Sequence, residues 1–172
     1  VGPDELYSLI DVAFLCLHGG DGEDGRIQGV LEYYRIPYTG SGILSSSIGM
    51  NKSIQKELMK DAGFTVPNYF TIQRKNWLDK EKQANLFREA IDRVGVPYVV
   101  KAANQGSSIG ISVIDNNSFE HFYHGINKAL FIREIKKSFW EDLTFEGKVD
   151  FVRELCDIRE GIGMPEIGRA HV

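Results

Sequence analysis

The strongest constraint in the sequence is an apolar run, residues 11–17 (DVAFLCL), followed at once by a loop rich in glycine and acid, residues 18–25 (HGGDGEDG). A continuous apolar run of this length predicts a strand buried on both faces, as in a parallel sheet. Apolar residues then recur at helical spacing from Ile27 to Tyr34, before Ile36-Pro37. The chain is therefore predicted to begin with a β–loop–α unit, and such loops are frequent ligand sites.

The next two helices are predicted from spacing and from their end signals. One is expected from the serines at 45–47, which could cap it, to about Ala62, with Gly63 as its stop. The other is an amphipathic helix over residues 77–94, closed by Gly95. The best candidate for a hinge is the turn at residues 38–42 (YTGSG).

The second half of the chain predicts a hairpin and then helices. Buried strands are expected at residues 98–101 and 109–114, with a turn of small polar residues between them. Residues 118–159 have a helical pattern and are rich in aromatic side chains.

Composition excludes several classes of function. The 172 residues contain 20 Lys and Arg against 24 Asp and Glu, so no basic excess favours nucleic acid. Only two cysteines are present, Cys16 and Cys156, which favours a reduced cytoplasmic protein over a disulfide framework. No apolar run approaches the ~20 residues that cross a bilayer, and no signal peptide opens the sequence. We expect neither a nucleic-acid partner nor a membrane partner.

The loop at residues 18–25 is the first candidate site. Its glycines let the backbone approach a ligand, and its N–H groups precede a predicted helix, where an anion is favoured. His18 and Glu23 would add polar contacts. A solvated acidic loop, or a mimic of a calcium loop without the closing glutamate, is an equally good interpretation from these residues alone.

Residues 101–110 (KAANQGSSIG) are the second candidate. A lysine at the end of a strand tends to meet a fixed anion, so Lys101 and the small-residue turn suit phosphate oxygens. The segment is not a Walker A loop, and a plain hairpin turn remains the alternative. Lys52, taken alone, is an ordinary helix lysine. His121, His124 and His171 have no metal-ligand spacing and are interpreted as surface residues.

Taken together and in this order, these segments resemble the D-alanine–D-alanine ligases of the ATP-grasp superfamily. The resemblance covers about two thirds of the chain: LHGGDGEDGRIQGVLEYYRIPYTGSG, the helix with MNK, GFTVPNY and GVPYVVKAANQGSSIGIS. It implies an α/β fold: an N-terminal parallel-sheet (pre-ATP-grasp) lobe, then the start of an ATP-grasp α+β domain, incomplete at both ends. The implied boundaries are 1–47 for the substrate-binding region, 48–117 for the start of the ATP-grasp domain and 118–165 for a helical insertion.

The resemblance also implies a chemistry. ATP phosphorylates the carboxylate of one D-alanine, and the amine of a second D-alanine attacks the acylphosphate, giving the dipeptide used for peptidoglycan precursors. His18 and Glu23 would line the substrate site, and Ser107 would help to hold the first D-alanine as a catalytic residue. Lys52 and Lys101 would contact the ATP phosphates, beneath a flap of small residues: Gly106, Ser107, Ser108 and Gly110.

Several features depart from the family pattern. Asn51 stands where the family usually has Asp, and Ala102 stands where it usually has Pro. The Mg²⁺ ligands are expected outside these 172 residues, so the chain alone is expected to be inactive. Residues 166–172 (EIGRAHV) can be encoded by DNA that resembles a sequencing adapter, and we expect them to be a non-native tail.

Two other functions stay open at this point. One is an ATP-grasp ligase with another acceptor, such as D-lactate. The other is a truncated ATP-binding module without turnover. A homodimer of the full-length protein also stays open.

Overall fold

The structure is a computed structural model that describes residues 2–106 and 108–157. Within these residues the chain forms two compact units, residues 2–66 with 103–106 and residues 67–102 with 108–157. The elements, in chain order, are α1 (Pro3–Leu9), a 3₁₀ turn (Gly20–Gly22), α2 (Arg26–Tyr33), α3 (Ile43–Met50), α4 (Lys52–Asp61), α5 (Arg74–Trp77), α6 (Lys80–Val94), β1 (Tyr98–Val100), β2 (Ser112–Ile114), α7 (Phe119–Ala129), α8 (Lys137–Asp142) and α9 (Phe145–Cys156).

The first unit is built around α2, which packs on the 3₁₀ turn and on α3. Leu31 in α2 is buried, and Ile36 just after the helix is buried too. The backbone N–H of Ile36 donates to the carbonyl of Leu31 at 2.9 Å, which folds the chain back over the helix end. The helix predicted from Ile27 to Tyr34 is confirmed: α2 begins and ends one residue earlier than predicted.

The strand predicted at residues 11–17 is wrong. The segment makes a single parallel bridge, Ala13 with Tyr38, through Ala13 N to Pro37 O at 2.8 Å and Thr39 N to Ala13 O at 3.0 Å. Among the described residues it has this one backbone neighbour. A strand is buried on both faces only between covering layers. Here Ala13 and Leu15 are partly buried, and the larger apolar side chains on either side of them are exposed: Val12 at 58%, Phe14 at 77% and Leu17 at 52%.

The single helix predicted over residues 45–62 is two helices. α3 ends at Met50, Asn51 takes an extended conformation with ψ 98°, and α4 begins at Lys52. The serines at 45–47 do not cap α3, because the residue at its N-terminal cap is Gly42. Gly63 does end α4, with Phe64 N donating to Met59 O and Gly63 N donating to Lys60 O, the hydrogen bonds of a Schellman motif.

The second unit has one apolar core. Trp77 and Phe122 are its largest fully buried side chains, and their rings meet edge to face with centroids 5.6 Å apart. The core also contains the inward-facing residues of the hairpin and of α6 and α7: Ala90, Tyr98, Val100, Ile114, Ile126 and Ala129. Edge-to-face aromatic pairs stabilise such cores beyond the area they bury.

The predicted hairpin is confirmed as an antiparallel pair, with Tyr98 opposite Ile114 and Val100 opposite Ser112. Its second strand is shorter than predicted, because β2 begins at Ser112 and residues 109–111 belong to the connection before it. Its predicted burial is only half right. Val99 and Val113, which face each other on the other side of the sheet, are 48% and 69% exposed. Alternate residues of a strand point to opposite faces, and here one face alone packs on helices.

The helix predicted over residues 77–94 begins later than expected. Asp79 caps α6 by accepting from the backbone N–H of Glu81 at 3.2 Å, so Trp77 ends the short helix α5 instead. Gly95, with φ of 81°, lies at the C-terminal cap of α6, as the sequence indicated.

The region after Ser118 is helical as far as the structure describes it. Ser118 caps α7 through its side chain, and α8 and α9 follow, with the ring of Phe151 packed on Phe139 at 5.4 Å between centroids. The predicted tail at 166–172 and His171 lie outside the described residues. No helix that the structure describes has the length and apolar character needed to span a membrane.

Candidate active site

The glycine loop at residues 18–25 is closed by its own glutamate. Glu23 accepts the backbone N–H of Gly19 on Oε2 at 2.7 Å, while its own N–H donates to the carbonyl of Gly19 at 3.0 Å. The chain between them forms the 3₁₀ turn Gly20–Gly22. Glu23 therefore fixes the shape of the loop, and its carboxylate stays solvent-accessible.

The two aspartates of the same loop pair with one arginine. The guanidinium of Arg26 forms an ion pair with Asp21, and its Nε lies 3.2 Å from Oδ2 of Asp24. Asp24 also accepts the backbone N–H of Arg26 on Oδ1 at 3.1 Å. In the part of the chain that the structure describes, no three acidic, His or Cys side chains are grouped to hold a metal.

Gly25 joins this loop to α2 in a conformation that needs glycine. Its φ is +97°, and a methyl group built on it would lie 2.8 Å from the backbone carbonyl oxygen of Ile43 and 2.6 Å from Oγ of Ser47. Ser47 itself donates to the carbonyl of Asp24 at 2.7 Å. The end of the loop is thus held directly against α3.

Lys52 holds the segment at residues 103–106 at two points. Its backbone N–H donates to the carbonyl of Ala103 at 3.0 Å, and its Nζ donates to the carbonyl of Gln105 at 2.5 Å. Lys52 is the first residue of α4, and Asn51 caps that helix by accepting the N–H groups of Ser53 and Ile54 at 3.2 Å each. An ordinary solvated helix lysine would make no such contacts.

The same unit places Gly106 beside the glycine loop. A methyl group on Gly106 would lie 3.7 Å from Cα of Gly19 and 4.0 Å from Oε2 of Glu23. Three predicted site residues, Glu23, Lys52 and Gly106, therefore belong to one local arrangement, although more than 80 residues separate Glu23 from Gly106 in the sequence. His18, at the start of the loop, has an exposed side chain.

The other predicted site residues belong to the second unit or are not described. Lys101 directly follows β1, and its side chain is exposed. Ser108 has a φ of 64° and is also exposed. Ser107 lies outside the described residues. The structure thus leaves the roles predicted for these residues as predictions.

Gly110 is buried against the end of α7. With φ at +70°, a methyl group on it would lie 3.2 Å from Cα of Ala129 and 3.4 Å from Cβ of Ala102. The Nζ of Lys128 then donates to the carbonyl of Ile111 at 3.0 Å. Gly110, the last glycine of the small-residue loop, is therefore packed against α7, the first helix of the region predicted to be an insertion.

Two tyrosines have raised pKa values. The hydroxyl of Tyr38 donates to Oε1 of Glu32 at 2.6 Å, and this hydrogen bond raises the pKa of Tyr38. Burial raises the pKa of Tyr98, whose hydroxyl has no hydrogen-bond partner among the described residues.

The sequence prediction missed two residues that support the loops. Gln28 is buried in α2 and donates from Nε2 to the carbonyl of Gly22 at 3.2 Å, which attaches the 3₁₀ turn to the helix. Gln105 supplies the carbonyl that Lys52 holds. A polar residue on the apolar side of α2 was a detectable signal for Gln28. A backbone carbonyl leaves no signal in the sequence, so Gln105 could not be found there.

Two family models match the chain. Residues 2–41 match the N-terminus of the D-ala D-ala ligases, and residues 58–134 match their C-terminus. The two matches together cover most of the described residues and include the glycine loop, Lys101, the small-residue loop and α7.

Curated relatives agree with the family models. The chain is 51% identical over 118 residues to a D-alanine–D-alanine ligase of Desulforamulus reducens, covering 66% of this chain and 38% of that protein. It is 45% identical over 165 residues to the one of Bacillus velezensis, covering 96% of this chain and 40% of that protein. The chain thus spans about two fifths of the length of these two relatives.

Solved structures show the same relationship. The D-alanine–D-alanine ligase of Coxiella burnetii matches 70% of this chain with a TM-score of 0.60 and 27% identity, over 34% of its own length. That of Helicobacter pylori matches 69% with a TM-score of 0.57 and 30% identity, over 33% of its length. These matches define the class, an α/β chain related to the amino-acid ligases. Within that class, the chain belongs to the D-alanine–D-alanine ligase family.

Proposed function

We propose that the chain is part of an ATP-dependent D-alanine–D-alanine ligase, which joins two D-alanines through an acylphosphate. Family membership supports this reaction, and the arrangement in the first unit is the structural observation that carries it. Glu23, Lys52 and Gly106 come together there from three separate segments. A carboxylate would suit the ammonium group of an amino acid. A lysine ammonium group and a glycine backbone that a ligand can approach closely would suit a phosphate.

In this proposal the glycine loop belongs to the amino-acid site. Glu23 holds the loop closed through Gly19, and its exposed carboxylate would attract the ammonium group of D-alanine. The exposed imidazole of His18 would complete the polar lining. Holding a reactant in one orientation is a large source of rate enhancement in ligation chemistry, because it replaces a bimolecular encounter.

The two lysines are proposed as contacts for ATP. Lys52 and Lys101 would each neutralise phosphate oxygens of ATP, and the hydroxyl groups of Ser107 and Ser108 would donate hydrogen bonds to such oxygens. The exposed side chains of Lys101 and Ser108 suit a role toward a ligand better than a role in packing. ATP, when bound, supplies the phosphoryl group that activates the first D-alanine carboxylate. Stabilising the charge that develops on that group is the main catalytic task of such residues.

Magnesium is expected with ATP in this chemistry, because it is normally held by one or two carboxylates and the phosphates. Among the described residues no acidic group is assembled for it, so we assign no step to residues of this chain through that metal. We place the ligase in the cytoplasm, where ATP is available, and a homodimer of the full-length protein stays a proposal to be measured by light scattering.

The test is phosphate release from ATP by a full-length protein that contains this sequence. We expect release when D-alanine is added and background release with L-alanine. Equal release with both amino acids, or none with D-alanine, would contradict the proposal. Adding D-lactate with D-alanine and finding the ester product in place of the dipeptide would favour the other acceptor.

A further inference from the structure

The helix break at Asn51 determines what Lys52 can bind. In a continuous helix the backbone N–H of residue 52 would donate to the carbonyl of residue 48. Here α3 stops at Met50 and Asn51 is extended, so the N–H of Lys52 is released from that partner. It donates to the carbonyl of Ala103 at 3.0 Å instead.

The side chain of Asn51 maintains this break. Its Oδ1 accepts the N–H groups of both Ser53 and Ile54 at 3.2 Å, two of the donors that the first turn of α4 leaves without helical partners. The cap makes a new helix start at Lys52 favourable. The same geometry brings the Lys52 ammonium to the carbonyl of Gln105 at 2.5 Å, so one residue holds two carbonyls of the segment 103–106.

That segment leads into Gly106, which lies next to Gly19 and Glu23 of the glycine loop. A shift of residues 103–106 would therefore move the start of the small-residue loop away from the amino-acid loop. The hydrogen bonds of the Asn51 side chain go to α4, and none of those described above goes to the glycine loop or to residues 103–106. Asn51 therefore affects the site through Lys52.

We propose that Asn51 is a positioning residue: by ending α3 and capping α4 it directs both donors of Lys52 onto residues 103–106, and so sets the place of Gly106 beside Glu23. The predicted effect of Asn51 on the KM for ATP rests on the proposed function. The predicted effect of Asn51 on the contacts between Lys52 and residues 103–106 does not. Asp and Ser cap helices about as well as Asn, Thr caps less well, and Ala caps poorly. The effect of each substitution at position 51 on residues 103–106 should therefore be larger the more weakly the new residue caps a helix.

The first experiment is independent of activity and uses the full chain. Hydrogen–deuterium exchange is measured at the Lys52 amide, and the ¹³C chemical shifts of the Ala103 and Gln105 carbonyl groups are measured by NMR, in Asn51→Ala, Asn51→Thr and Asn51→Asp. Loss of a cap corresponds to about a fivefold change in a local opening equilibrium, so in Asn51→Ala the Lys52 amide should exchange about fivefold faster and both carbonyl shifts should change. Asn51→Thr should be intermediate and Asn51→Asp should match the wild type. Gln55→Ala, on the exposed side of α4, is the matched control and should change neither the exchange nor the carbonyl shifts.

The second experiment measures steady-state kinetics in a full-length protein that contains this sequence. We expect Asn51→Ala to raise the KM for ATP about fivefold and to keep kcat within about twofold of the wild type. Asn51→Asp should have the KM for ATP of the wild type. Faster exchange at Ser53 and Ile54 alone, with residues 103–106 and the KM for ATP unchanged, would show a purely structural cap and overturn the proposal. If Asn51→Ala does not fold, Asn51→Thr decides by the same criteria. A wild-type protein without D-alanine-dependent turnover would refute the proposed function, while the exchange experiment would still decide the role of Asn51.

Discussion

The indole N–H of Trp77 donates a hydrogen bond of 2.7 Å to Oδ1 of Asn127, which joins α5 to α7 within the core of the second unit. Trp77 is 1% exposed, so water does not replace this partner easily. α7 is thereby attached to the core by a specific polar contact as well as by the apolar packing of Phe122 and Ile126.

Asn127→Ala should destabilise the second unit. The variant leaves a buried N–H of Trp77 without a partner, a loss of about 1–3 kcal/mol in the free energy of unfolding. Chemical denaturation followed by tryptophan fluorescence measures it. Asn117→Ala, at an exposed asparagine just before α7, is the control and should cost little. Equal stability of Asn127→Ala and wild type would mean that this bond does not contribute to the core.

Gly25→Ala should disrupt the junction between the glycine loop and α2. Alanine is strained at a φ of +97°, and its methyl group would lie 2.8 Å from the carbonyl oxygen of Ile43. We expect a loss of stability of more than ~1 kcal/mol, in contrast to the gain that a Gly→Ala exchange gives where alanine fits the backbone conformation. Gly29→Ala is the matched control, because Gly29 lies inside α2 with its nearest neighbour atom at an ordinary 3.8 Å. That control should be neutral or stabilising by about 0.5–1 kcal/mol. Thermal unfolding that ranks the two variants the other way would contradict the geometry.

Tyr98 should make the protein sensitive to alkali. Burial raises the pKa of Tyr98 in the folded state above its unfolded value of 10.0, so the neutral form is favoured by folding. This contribution is fully present below pH 10 and is lost as the pH rises through the folded pKa. Tyr98→Phe should retain stability at neutral pH, because the hydroxyl has no partner among the described residues, and should lose less stability above pH 10. Tyr33→Phe, at a tyrosine that is 80% exposed, should leave the alkaline loss as in wild type. Identical alkaline profiles for Tyr98→Phe and wild type would rule out this source.

Lys101→Met should reduce turnover without unfolding the protein. The side chain is exposed, so its removal costs little packing, whereas loss of one group that stabilises the transferred phosphoryl lowers kcat by about 10²–10³. Lys75→Met, at another exposed lysine, is the control and should keep normal turnover. Both kcat and the melting temperature are measured in a full-length protein. A variant that melts much lower yet keeps its kcat would show that Lys101 is structural.

The sequence predicted those parts of the fold that depend on local signals. Gly63 and Gly95 ended their helices where expected, and the hairpin of β1 and β2 followed from two apolar segments around a polar turn. The prediction of a strand buried on both faces at residues 11–17 was wrong. An apolar run shows only that its side chains can be buried, whereas their burial depends on which other segments cover them. Asn51 offered a readable signal, since asparagine favours caps over helix interiors.

The candidate site was predicted as a set of residue types, and the structure added the contacts between them. Glu23, Lys52 and Gly106 could be named from motifs, but no motif shows that Lys52 reaches Gln105 or that Glu23 holds Gly19. Such contacts depend on backbone carbonyls and N–H groups, which every residue carries. The domain boundaries and the roles of Ser107, Ser108 and Lys101 stay predictions.

Isotope transfer tests the proposed acylphosphate route to a D-alanine dipeptide most directly. A full-length protein that contains this sequence is supplied with ATP, Mg²⁺ and D-alanine labelled with ¹⁸O in its carboxylate. When a carboxylate oxygen attacks the γ-phosphoryl group and phosphate later leaves, that oxygen departs with the phosphate. We predict one ¹⁸O in the released phosphate for each D-alanyl-D-alanine formed, both measured by mass spectrometry. Dipeptide formed with unlabelled phosphate, or no dipeptide at all, would contradict the account.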